Sequence, residues 1–216
     1  MITSGASLIA TRTQGLRALA FNCTLKPAGH PSSTGAMLAD VAAAFARHGV
    51  DTETTVHAAA HNILPGTRSD EGPGDDWPAL RARVMAADIV VIGSPIWIGQ
   101  PSSVAKRVLE RLDAFIAETG DDGRMPSYGK VGAVAVVGNE DGAHHVGGEV
   151  YQALNDLGFS LAANAMTYWV GAARSGQEYR ELKPVPGSTH DATEMMVRNA
   201  VHLAQLLRGA PYPPKD

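Results

Sequence analysis

Apolar residues along this chain follow two rhythms. Arg17–Cys23, Asp88–Gly93, Lys130–Val137 and Phe159–Thr167 are short, nearly continuous apolar runs, the pattern of strands buried on both faces. Asp51–Ala58 alternates more weakly but is rich in Thr and Val, and reads as a further strand. Between these runs the period changes to that of a helix. Met37, Val41, Ala44, Phe45 and His48 make one stripe, closed by Gly49. Trp77, Leu80 and Val84 make a second within Trp77–Ala86, with Pro78 near its first position and Asp75 or Asp76 as its cap. Val104, Val108, Leu112, Phe115 and Ile116 make a third, begun near Pro101 and Ser102. Val146, Val150, Tyr151, Leu154 and Leu157 make a fourth, followed by Gly158. Met196, Ala200, Leu203, Ala204 and Leu207 make the last. It is opened by a capping box of Asp191 and Glu194 and stopped by Gly209 and Pro211.

Strand and helix therefore alternate five times, which predicts an α/β fold with a parallel sheet. Right-handed crossovers make it a three-layer sandwich, a doubly wound five-stranded sheet of order 2-1-3-4-5 with helices on both faces. Residues 16–209 are expected to form one domain, with 1–15 a flexible Ser/Thr-rich extension and 210–216 a tail. No internal repeat and no second-domain boundary is visible.

Composition narrows the function. The 216 residues are 44% hydrophobic, enough for a substantial core, and the net charge of −4 comes with no basic run that would suit nucleic acid. One cysteine excludes a disulfide framework within the chain and fits a reducing, cytoplasmic setting. No apolar stretch reaches the ~18 residues of a membrane span.

In such sheets ligands sit at the carboxyl ends of the strands. Three loops there carry unusual chemistry. The first, residues 24–34, brings Thr24, Lys26, Ser32, Ser33 and Thr34 to a helix N-terminus, where unpaired N–H groups and hydroxyls suit a phosphate. A plainer reading stands beside it: Ser33 or Thr34 only caps the helix, and Lys26 is a solvated charge. The second loop, residues 94–102, offers Trp97 and bare backbone. The third, residues 138–145, offers Gly, Asn, acids and histidines. With strands one, three and four central, the three loops meet at one end of the sheet. A phosphate tail, a flat apolar body and a polar rim would fit that set.

The chain resembles the flavodoxin-like NAD(P)H-dependent FMN reductases, the family that includes small quinone reductases. Gly93-Ser94-Pro95-Ile96-Trp97-Ile98-Gly99 and the helix from Ser102, with Lys106, Glu110 and Arg111, carry the most specific match. Asn22-Cys23-Thr24-Leu25-Lys26 with Ser32-Ser33-Thr34, and Gly138 to His144, carry the others. The first loop is longer and split by prolines, and the Thr-x-Thr-Gly-x-Thr pattern of true flavodoxins is absent. The resemblance implies FMN as cofactor and NAD(P)H as co-substrate. Thr24, Lys26, Ser32, Ser33 and Thr34 would hold the phosphate. Pro95, Ile96, Trp97, Ile98 and Gly99 would wrap the isoalloxazine. Gly138, Asn139, Glu140, Asp141, Gly142 and His144 would line its pyrimidine side. No catalytic side chain is expected, because the cofactor carries the chemistry. The resemblance also implies a homodimer or higher homo-oligomer acting on a small-molecule electron acceptor.

Other readings are weaker. A tyrosine phosphatase with Cys23 as nucleophile needs an arginine where Gly29 stands, so Cys23 reads as a small buried residue. A response regulator needs an aspartate where Ser94 stands. His144, His145 and Glu149 lack a second cluster that would complete a metal site, so no metal is expected. Met195-Met196 reads as helix core, residues 70–76 as a solvated acidic loop, and 61–76 as exposed and mobile. Trp97 could instead be a core or dimer-interface aromatic. The surviving alternative function is a flavodoxin-type electron carrier that does not itself oxidise NAD(P)H.

Overall fold

A computed structural model describes residues 15–173 and 175–214; of the expected extension, residues 1–15, all but Gly15 lies outside them. The long strands are β1 (Arg17–Asn22), β4 (Ile89–Trp97), β6 (Val131–Gly138) and β7 (Ser160–Val170). Strands β2 (Asp51–Thr52), β3 (Val56–His57) and β5 (Gln100–Pro101) are two-residue pieces. The main path of the sheet runs β2-β1-β4-β6-β7, all parallel. This is the expected order 2-1-3-4-5.

The helices are α1 (Ser33–Arg47), α2 (Trp77–Ala86), α3 (Ser103–Leu112), the short α4 (Ala114–Ala117), α5 (Ala143–Asp156) and α6 (Gly187–Gly209). Alternate strand residues feed two cores. Ala18, Ile89, Val91, Val131, Ala133, Ala135 and Val137 pack with α1 and α6. Leu19, Phe21, Val90, Ile92, Val134 and Val136 pack with α2, α3 and α5. Both faces of the central strands are thus covered, which is why their sequences are apolar throughout rather than alternating.

The sheet has seven strands rather than five. The stretch expected as one strand, Asp51–Ala58, is broken in two. β1 advances from Ala18 to Phe21 while its partner advances from Thr52 to Val56, so one residue is extra and the ladder is interrupted, as in a bulge. The seventh strand comes from residues 94–101, expected as a loop. β4 continues to Trp97, turns at Ile98-Gly99, and returns as β5 with Trp97 opposite Gln100 and Ile96 opposite Pro101. β7 also runs past Thr167 to Val170, and a register shift between Gly132 and Val134 on β6 accommodates extra residues on β7.

Helix ends differ in detail. α6 starts at Gly187, a turn earlier than the Asp191–Glu194 box; the capping box that forms is Glu178 with Glu181 on the 3₁₀ turn Tyr179–Glu181. Ser32, not Ser33 or Thr34, caps α1, its hydroxyl accepting from the Gly35 N–H. On α6 Met196 is core but Met195 is exposed. Residues 61–76 are pinned rather than simply solvated. Arg111, fully buried, donates to the carbonyls of Leu64 and Arg68 and meets the buried Asp75 carboxylate at 2.8 Å. Burial pushes the Asp75 carboxyl up, but the Glu71 N–H, Arg111 and two further backbone N–H groups outweigh it and hold it below its ordinary value.

Candidate functional site

The carboxyl ends of β1, β4 and β6 open on one cavity of about 430 Å³. Its floor and walls bring together Thr24, Lys26, Ser32, Ser33, Thr34, Pro95, Ile96, Trp97, Ile98, Gly138, Asn139 and Glu140, residues the sequence singled out from three separate loops. Leu25, Val137 and Glu178 line it as well.

The first loop is built by side chains bonding to nearby backbone. Asn22, at the end of β1, accepts the Thr24 N–H on Oδ1 and donates from Nδ2 to Ser32 Oγ. Thr24 Oγ1 accepts the Lys26 N–H, and Lys26 Nζ reaches back to the Pro31 carbonyl at 3.2 Å. Ser102 ties the second loop to the first: its hydroxyl donates to the Cys23 carbonyl at 2.6 Å and accepts from the Ala105 N–H as the cap of α3. Cys23 is buried, and burial pushes its thiol far above its ordinary value, which suits an inert packing residue.

The apolar wall is the β4–β5 hairpin. Trp97 is 52% exposed and Ile98 89% exposed, so neither is a core residue. A two-residue hairpin turn of this twist needs both central residues at positive φ. Gly99 does so freely at +70°, but Ile98 sits at +54°, a strained state for a β-branched side chain. The strain is held by contacts from the third loop. The Ile98 N–H donates to Glu140 Oε1 at 2.6 Å, and Gly142 lies so close to Gly99 that a Cβ on it would meet the Gly99 backbone at 2.9 Å.

Four residues of the sequence set lie off the cavity lining. Gly99 and Gly142 make the contact just described. Asp141 is exposed and accepts the Gly142 N–H. His144 turns edge-on to Tyr168, with ring centroids 4.9 Å apart. His145 meets Glu149 at 2.8 Å across one helical turn, and among the described residues no group of three or more His, Cys, Asp or Glu could hold a metal.

Sequence reasoning missed Glu178, which lies in the irregular connection before α6. Its Oε2 accepts from Ser33 Oγ at 3.1 Å and Arg180 Nε at 2.6 Å, and lies 3.5 Å from Lys26 Nζ. The Arg180 guanidinium, against burial and with help from Ser33 and Lys26, holds this carboxyl down at about 2. Its neighbour Tyr179 is buried, donates to Asp40 Oδ2 at 2.6 Å and packs on Trp169, which fixes the segment against α1. The three-residue spacing of Glu178 and Glu181 was the available sequence signal for this turn.

A family model described as NADPH-dependent FMN reductase matches residues 16–174. A protein of Streptomyces davaonensis, 8-demethyl-8-aminoriboflavin-5′-phosphate synthase, is 35% identical over 210 residues, covering 91% of this chain and 80% of that protein. The crystal structure of RosB with a bound intermediate, 8-demethyl-8-formylriboflavin-5′-phosphate, superposes with a TM-score of 0.83 at 34% identity, covering 91% of this chain and 82% of that one. A Mycobacterium bovis protein named divalent metal cation transporter MntH is 38% identical over 206 residues, but this chain spans only 30% of its length. Among the described residues no helix is long and apolar enough to cross a membrane. By the extent of the family match and the cover of its relatives, the chain belongs to the NADPH-dependent FMN reductase family, with a flavodoxin-like fold.

Proposed function

We propose that the chain is an FMN-binding oxidoreductase that passes hydride from NAD(P)H, by way of FMN, to a flavin, a quinone or another small acceptor. The observation that carries this is the convergence of three loops on one cavity with an anion-binding end and an apolar wall. Its volume lies within the roughly 300–1,000 Å³ range of small-molecule sites. The donor set fits the group: Lys26 in the first loop and Ser33 at the start of α1 already engage an anionic oxygen, that of Glu178, which stands in for a phosphate oxygen. Lys26, Ser32, Ser33, Thr34 and Thr24 would hold the phosphate. Pro95, Ile96, Trp97 and Ile98 would cover the ring, and Gly138, Asn139 and Glu140 would meet its polar edge. Bound FMN supplies the hydride and electron chemistry, so the protein's part is to bind, orient and exclude water. Residues 16–209 acting as one FMN-binding domain, a homodimer or higher homo-oligomer, and a cytoplasmic location belong to the same proposal.

The test is an absorbance spectrum before and after adding FMN, then NADPH and NADH without oxygen. Flavin bands that bleach with a nicotinamide support the reductase. Bands that persist with both point to an electron carrier, and no flavin uptake overturns the reading.

The relative named for synthesis of an aminoriboflavin phosphate favours a second reading, in which the flavin phosphate is itself the substrate altered. Mass spectrometry of the flavin after turnover separates the two: an unchanged mass supports reduction, a changed mass supports modification.

A further inference from the structure

The group found in the phosphate end of the cavity is a carboxylate of the chain itself. Glu178 Oε2 takes the Ser33 hydroxyl hydrogen bond and lies beside Lys26 Nζ, the two donors best placed for a ligand's anionic end. It is not a stray surface side chain. Tyr179 anchors the segment through Asp40 and Trp169, and the capping box fixes the turn, so Glu178 is delivered to Ser33 by a built element. Arg180, bonded to the same oxygen, completes a cluster of two cations around one carboxylate. A phosphate brought to Lys26 and Ser33 would face this carboxylate at hydrogen-bonding range, and like charges so placed repel strongly. Either the carboxylate leaves or the phosphate stays out. The side chain is about one-third exposed, so a route to solvent exists, and its departure would free the Ser33 hydroxyl and leave Lys26 and Arg180 with only the Pro31 carbonyl and Glu181 beside them.

We propose that Glu178 is a built-in competitor for the phosphate end of the flavin, displaced on binding, so that FMN is held exchangeably rather than as a resident group. The inference rests on the FMN reading above. It differs from that reading in what it predicts for ligands with and without a phosphate. Riboflavin has no group that must enter the Lys26–Ser33 position, so its affinity should not depend on the Glu178 charge.

The experiment is a titration of FMN and of riboflavin, followed by flavin fluorescence, into the wild-type chain and Glu178→Gln. Gln keeps the shape and an acceptor oxygen for Ser33 but removes the charge. FMN should bind about tenfold or more tightly to Glu178→Gln and dissociate more slowly, with riboflavin within about twofold of wild type. Glu178→Ala should change FMN affinity in the same direction, and thermal melts of both variants verify folding. Equal or weaker FMN binding by the folded variants, with flavin binding by the wild type intact, overturns the inference alone. Failure of every chain to bind either flavin overturns the flavin reading and this inference with it.

Discussion

Two clusters of acid and cation in this molecule use the same chemistry to opposite ends. Asp75 and Arg111 meet at 2.8 Å with both side chains fully buried, 0% exposed. Arg111 places its remaining donors on the Leu64 and Arg68 carbonyls and its guanidinium against the Trp77 ring. Every polar edge is matched inside the protein, and the pair acts as a peg that holds residues 61–76 to α3. Glu178 with Lys26 and Arg180 is half in water, with side chains 32% and 41% exposed for Glu178 and Lys26. Solvent or a ligand can replace any member there at small cost. Burial, rather than charge, separates a fixed strut from an exchangeable site.

The largest expected effect tests the strut. Arg111→Met should cost about 3–5 kcal/mol in urea unfolding, because it strands a buried carboxylate. Adding Asp75→Leu should recover only part of that loss, since the stranded charge is gone but the Leu64, Glu71 and Trp77 N–H groups and the Leu64 and Arg68 carbonyls lose their partners. A small effect of the single variant would mean that Asp75 finds water.

Lys26→Met should do the reverse. Its stability should stay within about 1 kcal/mol of wild type, as for an exposed pair. Its FMN affinity should fall by about ten- to a hundredfold with riboflavin little changed, because a charge-assisted contact to phosphate is lost. Equal losses for both flavins would place Lys26 at the ring rather than at the phosphate.

Ile98→Gly should stabilise the chain by about 1 kcal/mol in thermal or urea unfolding. Relief of a strained positive φ exceeds the extra chain entropy of glycine. Loss of stability instead would show that the Ile98 side chain supports the hairpin.

The smallest effect is in the pH dependence. The Glu178 carboxyl is held at about 2 in the folded chain against an ordinary 4.5, so it contributes stability that is complete above about pH 4.5. That contribution is lost as the pH falls towards 2. Asp75, also held low, acts in the same direction. Glu178→Gln should therefore lower stability slightly at neutral pH, leave it unchanged near pH 2, and so flatten the acid limb of a stability-against-pH curve. Solvent screening keeps the difference small. A large change would mean that Glu178 is a strut like Asp75.

Much of this site was legible from residues alone. Ser32 to Thr34 precede an amphipathic helix, so the chain had to present hydroxyls at a helix start. Residues 94–99 come after the apolar run Asp88–Gly93, so Trp97 had to stand near a strand end. The apolar runs and helical stripes fixed element order, and handedness then left few topologies. Two kinds of feature were beyond this reasoning. The turn at Ile98-Gly99 violates local preference, because an isoleucine at positive φ is favoured only when Glu140 and Gly142, some forty residues away, hold it there. Glu178 reaches the first loop because Tyr179 bonds to Asp40 of α1, 139 residues away in sequence, and packs on Trp169. The acids at 70–76 read as solvated because nothing local to them signals Arg111.

The sequence by itself determined the alternation of strands and helices, the two-sided burial of the central strands and the three polar loops at one sheet end, since periodicity and capping are local properties of the chain. Only the tertiary structure decided which charge is buried, which carboxylate meets Lys26 and Ser33, and which residues of the third loop reach the cavity. Those outcomes depend on distances between segments remote in sequence and on the burial that packing imposes on each group.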